Sequence, residues 1–381
     1  MVQHDGNRHA RALRSVVRVD VRPFSIEVEE AVLADLRARL QRTRWPSDAP
    51  GPAWEQGTDL AWIRDLCAYW MSEFDWPSRE RRLNSYPQFL AEVDGVTIHF
   101  VHLRRGGPPL ILTHGWPSSF MEYLPVAERL EGFDLVIPSL PGYGFSERPA
   151  VSTTRDVARR WHVLMQGLGY QRYGACGTDF GAAVTTYMAL DDPARLFGIH
   201  LSNLDNAPTP TSPLTDDELA YVAAVTDWDS RERGYSSIQA TRPQTLAYGL
   251  TDSPAALAAW ILEKWRIWAD TGGDVGARFD RDDLLTLVTL YWVTSTIGTS
   301  ILDYADNRSH ATATLPPGAR VSVPTGIANF HHSYVHEGIV PREWAERIYN
   351  VTRFTDMPSG GHFAPAEEPD LLAAEISTFF S

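Results

Sequence analysis

Lysine is almost missing from this chain. Of 34 lysines and arginines only Lys264 is a lysine, and they are outnumbered by 48 aspartates and glutamates, which leaves a formal charge of -14 over 381 residues. Phosphate binding needs clustered cations, so this balance argues against a nucleic-acid partner. Cysteine is nearly as scarce. Only Cys67 and Cys176 are present, and Cys176 lies in an apolar run, so a disulfide framework is not expected and a reducing cytoplasm is the expected compartment. No uninterrupted apolar stretch reaches the length needed to span a bilayer, and the first twenty residues are polar, with His4, Asp5, Arg8, His9 and Arg11 scattered through them. No membrane partner, anchor or signal peptide is expected, and internal repeats and low-complexity segments are absent. What remains is an ordinary globular composition, 44% hydrophobic and 22% charged, with length enough for one large domain with an insertion or for two domains.

Residues 1–22 read as a disordered tail. Apolar positions Ile26, Val28, Val32, Leu33, Leu36 and Leu40 then mark an amphipathic helix between Phe24 and Arg42, stopped by Arg44-Trp45-Pro46, and a second helix runs from Leu60 to Phe74. Trp45, Trp54, Trp62, Trp70 and Trp76 supply the aromatic area to glue this part, residues 23–90, onto a core as a helical wrapping segment. From Ala91 the period changes. Val93 to Leu103, Leu110 to Thr113, Leu135 to Pro138, Tyr173 to Gly177 and Phe197 to Leu201 are strand-like runs separated by helical patterns, which predicts an α/β protein with a mostly parallel sheet and helices on both faces. That core occupies 91–204. A Pro-rich stretch (Pro208, Pro210, Pro213) opens a helical insertion over 205–315, expected as a lid, and strand-like sequence returns at Val321 to Ala328 and Asn350 to Thr355 within a second core part, 316–381.

The most informative stretch is Tyr173-Gly-Ala-Cys-Gly-Thr-Asp-Phe-Gly181, an apolar strand pattern that breaks into small residues around Asp179 and resumes as a helical run. Gly177 and Gly181 flank Asp179 at the offsets of the G-x-S-x-G nucleophile elbow, where glycines permit a strained strand-to-helix turn. Asp replaces Ser, and the replacement changes the chemistry. A carboxylate can displace at an sp3 carbon to give an ester that water then opens, which makes an epoxide or an alkyl halide the expected target. A capping Asp at a helix start is the plainer alternative.

Other features converge on the same end of the predicted sheet. His114-Gly115-Trp116-Pro117 leaves the strand Leu110 to Thr113, so the Trp116 amide and that of Phe180, which follows the elbow residue, are the expected oxyanion pair. Gly360-Gly361-His362-Phe363 follows the last strand, where a glycine-presented histidine fits a general base. Glu337 is the only carboxylate in the loop Asn329 to Gly338 and is assigned to orient His362, with Asp303 or Asp306 in reserve. His331, His332 and His336 lack the carboxylate spacing of a helical zinc motif, so neither metal nor cofactor is expected.

With these motifs the chain resembles the α/β-hydrolase-fold epoxide hydrolases of the microsomal and juvenile-hormone type. The resemblance runs from Phe24 onward and includes Arg44-Trp45-Pro46, His114-Gly115-Trp116-Pro117, Pro141-Gly142-Tyr143-Gly144-Phe145-Ser146, the Asp179 elbow, Gln239-Ala240-Thr241-Arg242-Pro243, Leu250-Thr251-Asp252-Ser253-Pro254, Pro324-Thr325-Gly326 and Gly360-Gly361-His362-Phe363. It implies that two lid tyrosines, Tyr235 and Tyr304, hold the epoxide oxygen. It departs in one place: the family usually shows a short Phe-Pro-x-Glu or Asp run after the Pro-Thr-Gly strand, and this chain has the longer His331 to Glu337 segment. That loop and the arginine-rich composition also resemble actinomycete epoxide hydrolases of enediyne antibiotic pathways. The expected reaction converts an epoxide to a vicinal diol, with Trp116, Phe180, His114, Tyr143 and Trp228 around an apolar, aryl-bearing substrate. A haloalkane dehalogenase, with Trp116 holding halide, and a non-catalytic relative stay open as alternatives. A serine hydrolase does not, because no G-x-S-x-G occurs. A homodimer is the default expectation for assembly.

Overall fold

The computed structural model describes residues 19–202, 204, 212–330 and 340–381. Its centre is a nine-stranded sheet of β1 (Val21–Phe24), β2 (Gln88–Val93), β3 (Val96–Leu103), β4 (Pro109–Thr113), β5 (Asp134–Pro138), β6 (Tyr173–Gly177), β7 (Leu196–Leu201), β8 (Pro324–Phe330) and β9 (Asn350–Met357). The spatial order is β1-β2-β3-β5-β4-β6-β7-β8-β9. The first three neighbour pairs are antiparallel and the remaining five parallel, so one side of the sheet is built from hairpin-type connections and the other from crossovers.

Alternation along the central strands is hidden because both faces are buried. Ile98 and Phe100 of β3, Ile111 of β4, Val136 of β5 and Ala175 of β6 join one apolar cluster, while Val101, Leu110, Leu112, Leu135, Ile137 and Cys176 join another. All are at most 1% exposed. This is the pattern of a covered parallel sheet, whose strands read as continuous apolar runs. Both cysteines are buried and unpaired.

Three details differ from the sequence expectation. The run Val93 to Leu103 is two strands joined by a turn at Asp94-Gly95, both at positive φ (49° and 72°), because the Asp-Gly pair supplies a tight hairpin turn. The edge strand β1 starts at Val21, inside the stretch expected as a tail, because Val21–Phe24 pairs with Gln88–Ala91 and leaves the first helix to begin at Glu30. The run Val321 to Ala328 yields a strand only from Pro324, since a proline lacking an N–H suits the first position of a strand.

Between β7 and β8 lie eight helices from Asp216 to Ser309. Buried polar links tie them to the core at the carboxyl ends of the strands. Tyr291 Oη donates to Ser118 O (2.7 Å), Trp265 Nε1 to Pro117 O (2.9 Å) and Thr299 Oγ1 to Gly142 O (2.6 Å). Arg148 pairs with Asp303 (2.6 Å) and Asp306 (2.7 Å), all three nearly buried. The N-terminal helices hold the outer side of the same layer: Trp70, on the helix Leu60–Ser72, donates from Nε1 to Thr289 Oγ1 at 2.9 Å within the larger cluster. Among the five N-terminal tryptophans only Trp70 and Trp76 are fully buried, the other three being partly covered.

Trp70→Ala removes both the packing and the hydrogen bond between these layers. It is expected to lower the unfolding free energy by about 3–5 kcal/mol, read as a drop in urea midpoint. Trp70→Phe, which keeps most of the area, should cost about 1–3 kcal/mol through the unpaired threonine.

Candidate active site

The turn between β6 and the helix Phe180–Asp191 is strained at the residue that matters. Asp179 sits at φ 53°, ψ -129°, outside the regions that residues with a side chain favour. The backbone can pass there because neighbouring chains approach too closely for any side chain. A Cβ on Gly181 would lie 1.9 Å from Thr113 O, and one on Gly115 would lie 2.2 Å from Asp179 Oδ1. The consequence is a carboxylate pushed out of the sheet and captured on one side. Oδ1 accepts the Trp116 N–H at 2.7 Å, and Oδ2 lies 3.4 Å from His362 Nε2. Phe180 opens the helix, so its N–H has no acceptor inside that helix.

His362 is presented by a loop anchored on the lid layer. Its own N–H donates to Trp268 O (2.9 Å), Gly360 N–H to Asp270 Oδ2 (3.2 Å), and the Phe363 and Asp270 amides both donate to the buried Glu367 (2.9 and 2.7 Å). Burial pushes the Glu367 carboxyl up to about 7, opposed by those two amides and by Arg278. The imidazole packs edge-on against Trp268 and Phe363, each with its centroid 5.0 Å away.

A cavity of about 180 Å³ opens over this pair. Asp179, His362, Phe180, Trp228, Tyr235 and Tyr304 line it, together with Trp268, Arg233 and Asn307. Tyr235 stacks on Trp116 (centroids 5.6 Å, planes 6° apart), and Tyr304 meets Trp116 edge-on at 5.6 Å and Phe180 at 5.0 Å. The two tyrosine rings are 5.9 Å apart and meet edge-on. Burial raises the Tyr304 hydroxyl well above its ordinary value, with the charges of Tyr235 and Asp179 adding to it.

Residues far apart in the chain, Asp179, Phe180, Trp228, Tyr235, Tyr304 and His362, therefore meet around one cavity, with Trp116 packed behind the two tyrosines. His114 and Tyr143, expected in the pocket, do not line it. The ring nitrogens of His114 are taken by Gly115 O (2.9 Å) and by the Leu140 N–H (3.1 Å), and burial holds its pKa down at about 4. It braces two loops. Tyr143 lies against His114 and donates to Ser300 O (3.3 Å). Asp303 and Asp306 are committed to Arg148, while Glu337, His331, His332 and His336 lie outside the described residues. Sequence reading missed Trp268, Arg233 and Asn307. They sit in helical patterns where an aromatic or polar residue carries no sign that it faces a cavity.

A strained carboxylate elbow, a backbone amide on its carboxylate, a histidine and two neighbouring tyrosines at the carboxyl edge of the sheet define the protein as one of the α/β-hydrolase fold. Comparison with known proteins names the family. Residues 21–123 match the family described as epoxide hydrolase N terminus, and residues 108–241 match the alpha/beta hydrolase fold. The chain is 34% identical to epoxide hydrolase 1 of Oryctolagus cuniculus, over 94% of this chain and 88% of that protein. It is 32% identical to the juvenile hormone epoxide hydrolase of Bombyx mori, over 93% and 85%. The structure of the Aspergillus niger epoxide hydrolase superposes with a TM-score of 0.84 at 30% identity, covering 95% of this chain and 96% of that one. The chain belongs to the α/β-hydrolase-fold epoxide hydrolases, related to the microsomal and juvenile-hormone enzymes, and it is an enzyme that converts epoxides to vicinal diols. Among the described residues no single helix is long and apolar enough to cross a membrane.

One buried carboxyl lies behind this site. Glu122 follows the Trp116 loop and borders a second cavity of about 140 Å³ with Ser118 and Trp265. Neither carboxyl oxygen makes a hydrogen bond of ordinary geometry among the described residues. Burial pushes its pKa up to about 8, against the opposing effects of the Ser118 hydroxyl and the His362 charge. A carboxyl raised in the folded state binds its proton more tightly there than in the unfolded chain. Its contribution is full below the unfolded value and is lost as pH rises through the folded one. Stability should therefore fall between about pH 5 and 8, by up to about 1.4 kcal/mol per pH unit for this one proton. Glu122→Gln should flatten that fall in urea midpoints taken across the range; parallel curves for the two proteins would refute the assignment.

Proposed function

We propose that the enzyme opens an apolar, aryl-bearing epoxide through a covalent ester on Asp179. The observation that carries this reading is the division of labour on one carboxylate: Oδ1 on the Trp116 amide, Oδ2 open to the cavity near His362, and two tyrosines lining the same cavity. Oδ2 attacks an epoxide carbon from the side opposite the breaking C–O bond, and Tyr235 and Tyr304 hydrogen-bond the ring oxygen and protonate it as it leaves. His362, oriented by Glu337, then takes a proton from a water that attacks the ester carbonyl. The negative charge develops on Oδ1, where the Trp116 and Phe180 amides receive it. General-base help of this kind contributes about 10²–10⁴-fold, and one oxyanion donor roughly 10²–10³-fold.

The aryl preference is supported by the walls. Phe180, Trp228, Trp268 and Tyr304 line the cavity with Asp179, and the indole N–H groups of Trp228 and Trp268 have no acceptor among the described residues, so they can donate to polar atoms of a larger substrate. Residues 205–315 act as the lid that keeps bulk water from the ester. The resemblance to enediyne-pathway enzymes extends the reading to an epoxide of natural-product biosynthesis.

Asp179→Asn should abolish turnover, whereas His362→Gln should alkylate and stop. In a single-turnover mass measurement with styrene oxide, His362→Gln is expected to carry one substrate mass on the peptide containing Asp179. An unmodified peptide would remove the ester mechanism, and halide release from haloalkanes without diol formation would favour dehalogenation instead.

A further inference from the structure

The one lysine of the chain lies at this site. Lys264 is on the helix Pro254–Trp268 with its side chain only 7% exposed, and lysines are almost never buried without a partner. Its partner is the adjacent Glu263, at 2.5 Å and 21% exposed. An ion pair alone would be satisfied anywhere on the surface, yet this ammonium is directed inward. Nζ lies 4.8 Å from the centroid of the Tyr235 ring and 5.8 Å from that of Trp268, both cavity walls.

We propose that Lys264 is the counter-ion of the phenolate that forms at Tyr235 during epoxide opening, and so decides which of the two tyrosines carries the charge. The proposal builds on the epoxide-opening reading above. When Asp179 Oδ2 bonds to carbon, the epoxide C–O bond breaks and the ring oxygen takes a tyrosine proton. Asp179 becomes a neutral ester, and one negative charge has moved to the neighbouring tyrosine pair. The two protons of the hydrolytic water, one passing through His362, later restore the phenol and the second alcohol, so the cycle closes without a co-reactant. A cation over an aromatic face stabilises electron-rich rings, and a phenolate far more than a phenol.

The other charged groups nearby do not serve as well. Arg233, next to Tyr235 in sequence behind Gly234, pairs with Asp229 at 2.6 Å and lies over Trp228. His362 is separated from Tyr235 by the Trp268 ring, which contacts both. Asp179 opposes a phenolate until it is esterified, and Tyr304, its ring 5.9 Å from that of Tyr235, has no cation of its own among the described contacts. Glu263 tempers Lys264, which gives the arrangement a test in both directions.

The test compares Lys264→Met and Glu263→Gln with the unaltered enzyme in two readouts. In stopped-flow single turnovers with styrene oxide, Lys264→Met should slow ester formation roughly tenfold and leave ester hydrolysis unchanged, with the alkaline limb of ester formation moved up by about one pH unit. Glu263→Gln should move that limb down. The second readout needs no substrate: the tyrosinate absorbance titration of each protein minus that of its Tyr235→Phe counterpart gives the Tyr235 ionisation directly, and it should shift in the same two directions. Unshifted titrations in both variants would overturn the proposal, as would slowed ester hydrolysis with ester formation untouched. If Lys264→Met does not fold, Glu263→Gln decides alone. Should the unaltered protein form no ester on Asp179, the epoxide-opening reading fails, and the phenol titration still judges the effect of Lys264 on Tyr235.

Discussion

The hydrogen bond from the Trp116 amide to Asp179 Oδ1 joins the two loops on which the site depends. One loop follows β4 and the other follows β6, and these strands are neighbours with Thr113 paired to Gly177. Parallel pairing thus brings the donor and the carboxylate to the same edge of the sheet. The close passage at Gly115 and Gly181 does the rest, leaving Asp179 no relaxed backbone conformation and its side chain no direction but outward. The strain is sustained by the covered sheet beneath, whose central residues are fully buried on both faces.

Around that carboxylate the charges are arranged by region. Behind it lie groups whose ionisation is suppressed by burial, Glu122 and Glu367 as carboxyls and His114 as an imidazole. In front lies the aromatic cavity, where the lid contributes Trp228, Tyr235, Trp268 and Tyr304. The Trp116 amide holds one oxygen of the Asp179 carboxylate at the edge of these walls. Arg148, clasping Asp303 and Asp306, fixes the helix that carries Tyr304 to the loop beyond β5. The lid is therefore part of the site's geometry as well as its cover.

Legibility from sequence followed the range of the forces involved. The elbow, the loop after β4 and the histidine after β9 are local devices: glycines at fixed offsets beside an apolar strand announce them, and each is found where the motif placed it. The hairpin at Asp94-Gly95 was equally local and was passed over because the apolar run on both sides hid the turn. His114 shows the opposite failure. Its type and position suggested the pocket, but one ring nitrogen is taken by the carbonyl of the next residue, Gly115, and the other by the Leu140 N–H, from a loop that only folding brings near. Asp303 and Asp306 likewise looked available as acids until Arg148, more than 150 residues away, claimed both.

What the sequence determined by itself is the residue at the elbow, an aspartate between two glycines where the serine version carries a hydroxyl, since that identity holds whatever surrounds it. It also determined the type of sheet, because the spacing of apolar runs permits few alternatives. Only the tertiary structure decided which side chains share the cavity with Asp179. Tyr235, Tyr304 and the pair Lys264 and Trp268 come from three separate lid helices, and their meeting depends on how those helices pack, a matter of many long-range contacts that no short pattern records. In the sequence Lys264 is a count of one; the fold sets that charge against a tyrosine ring.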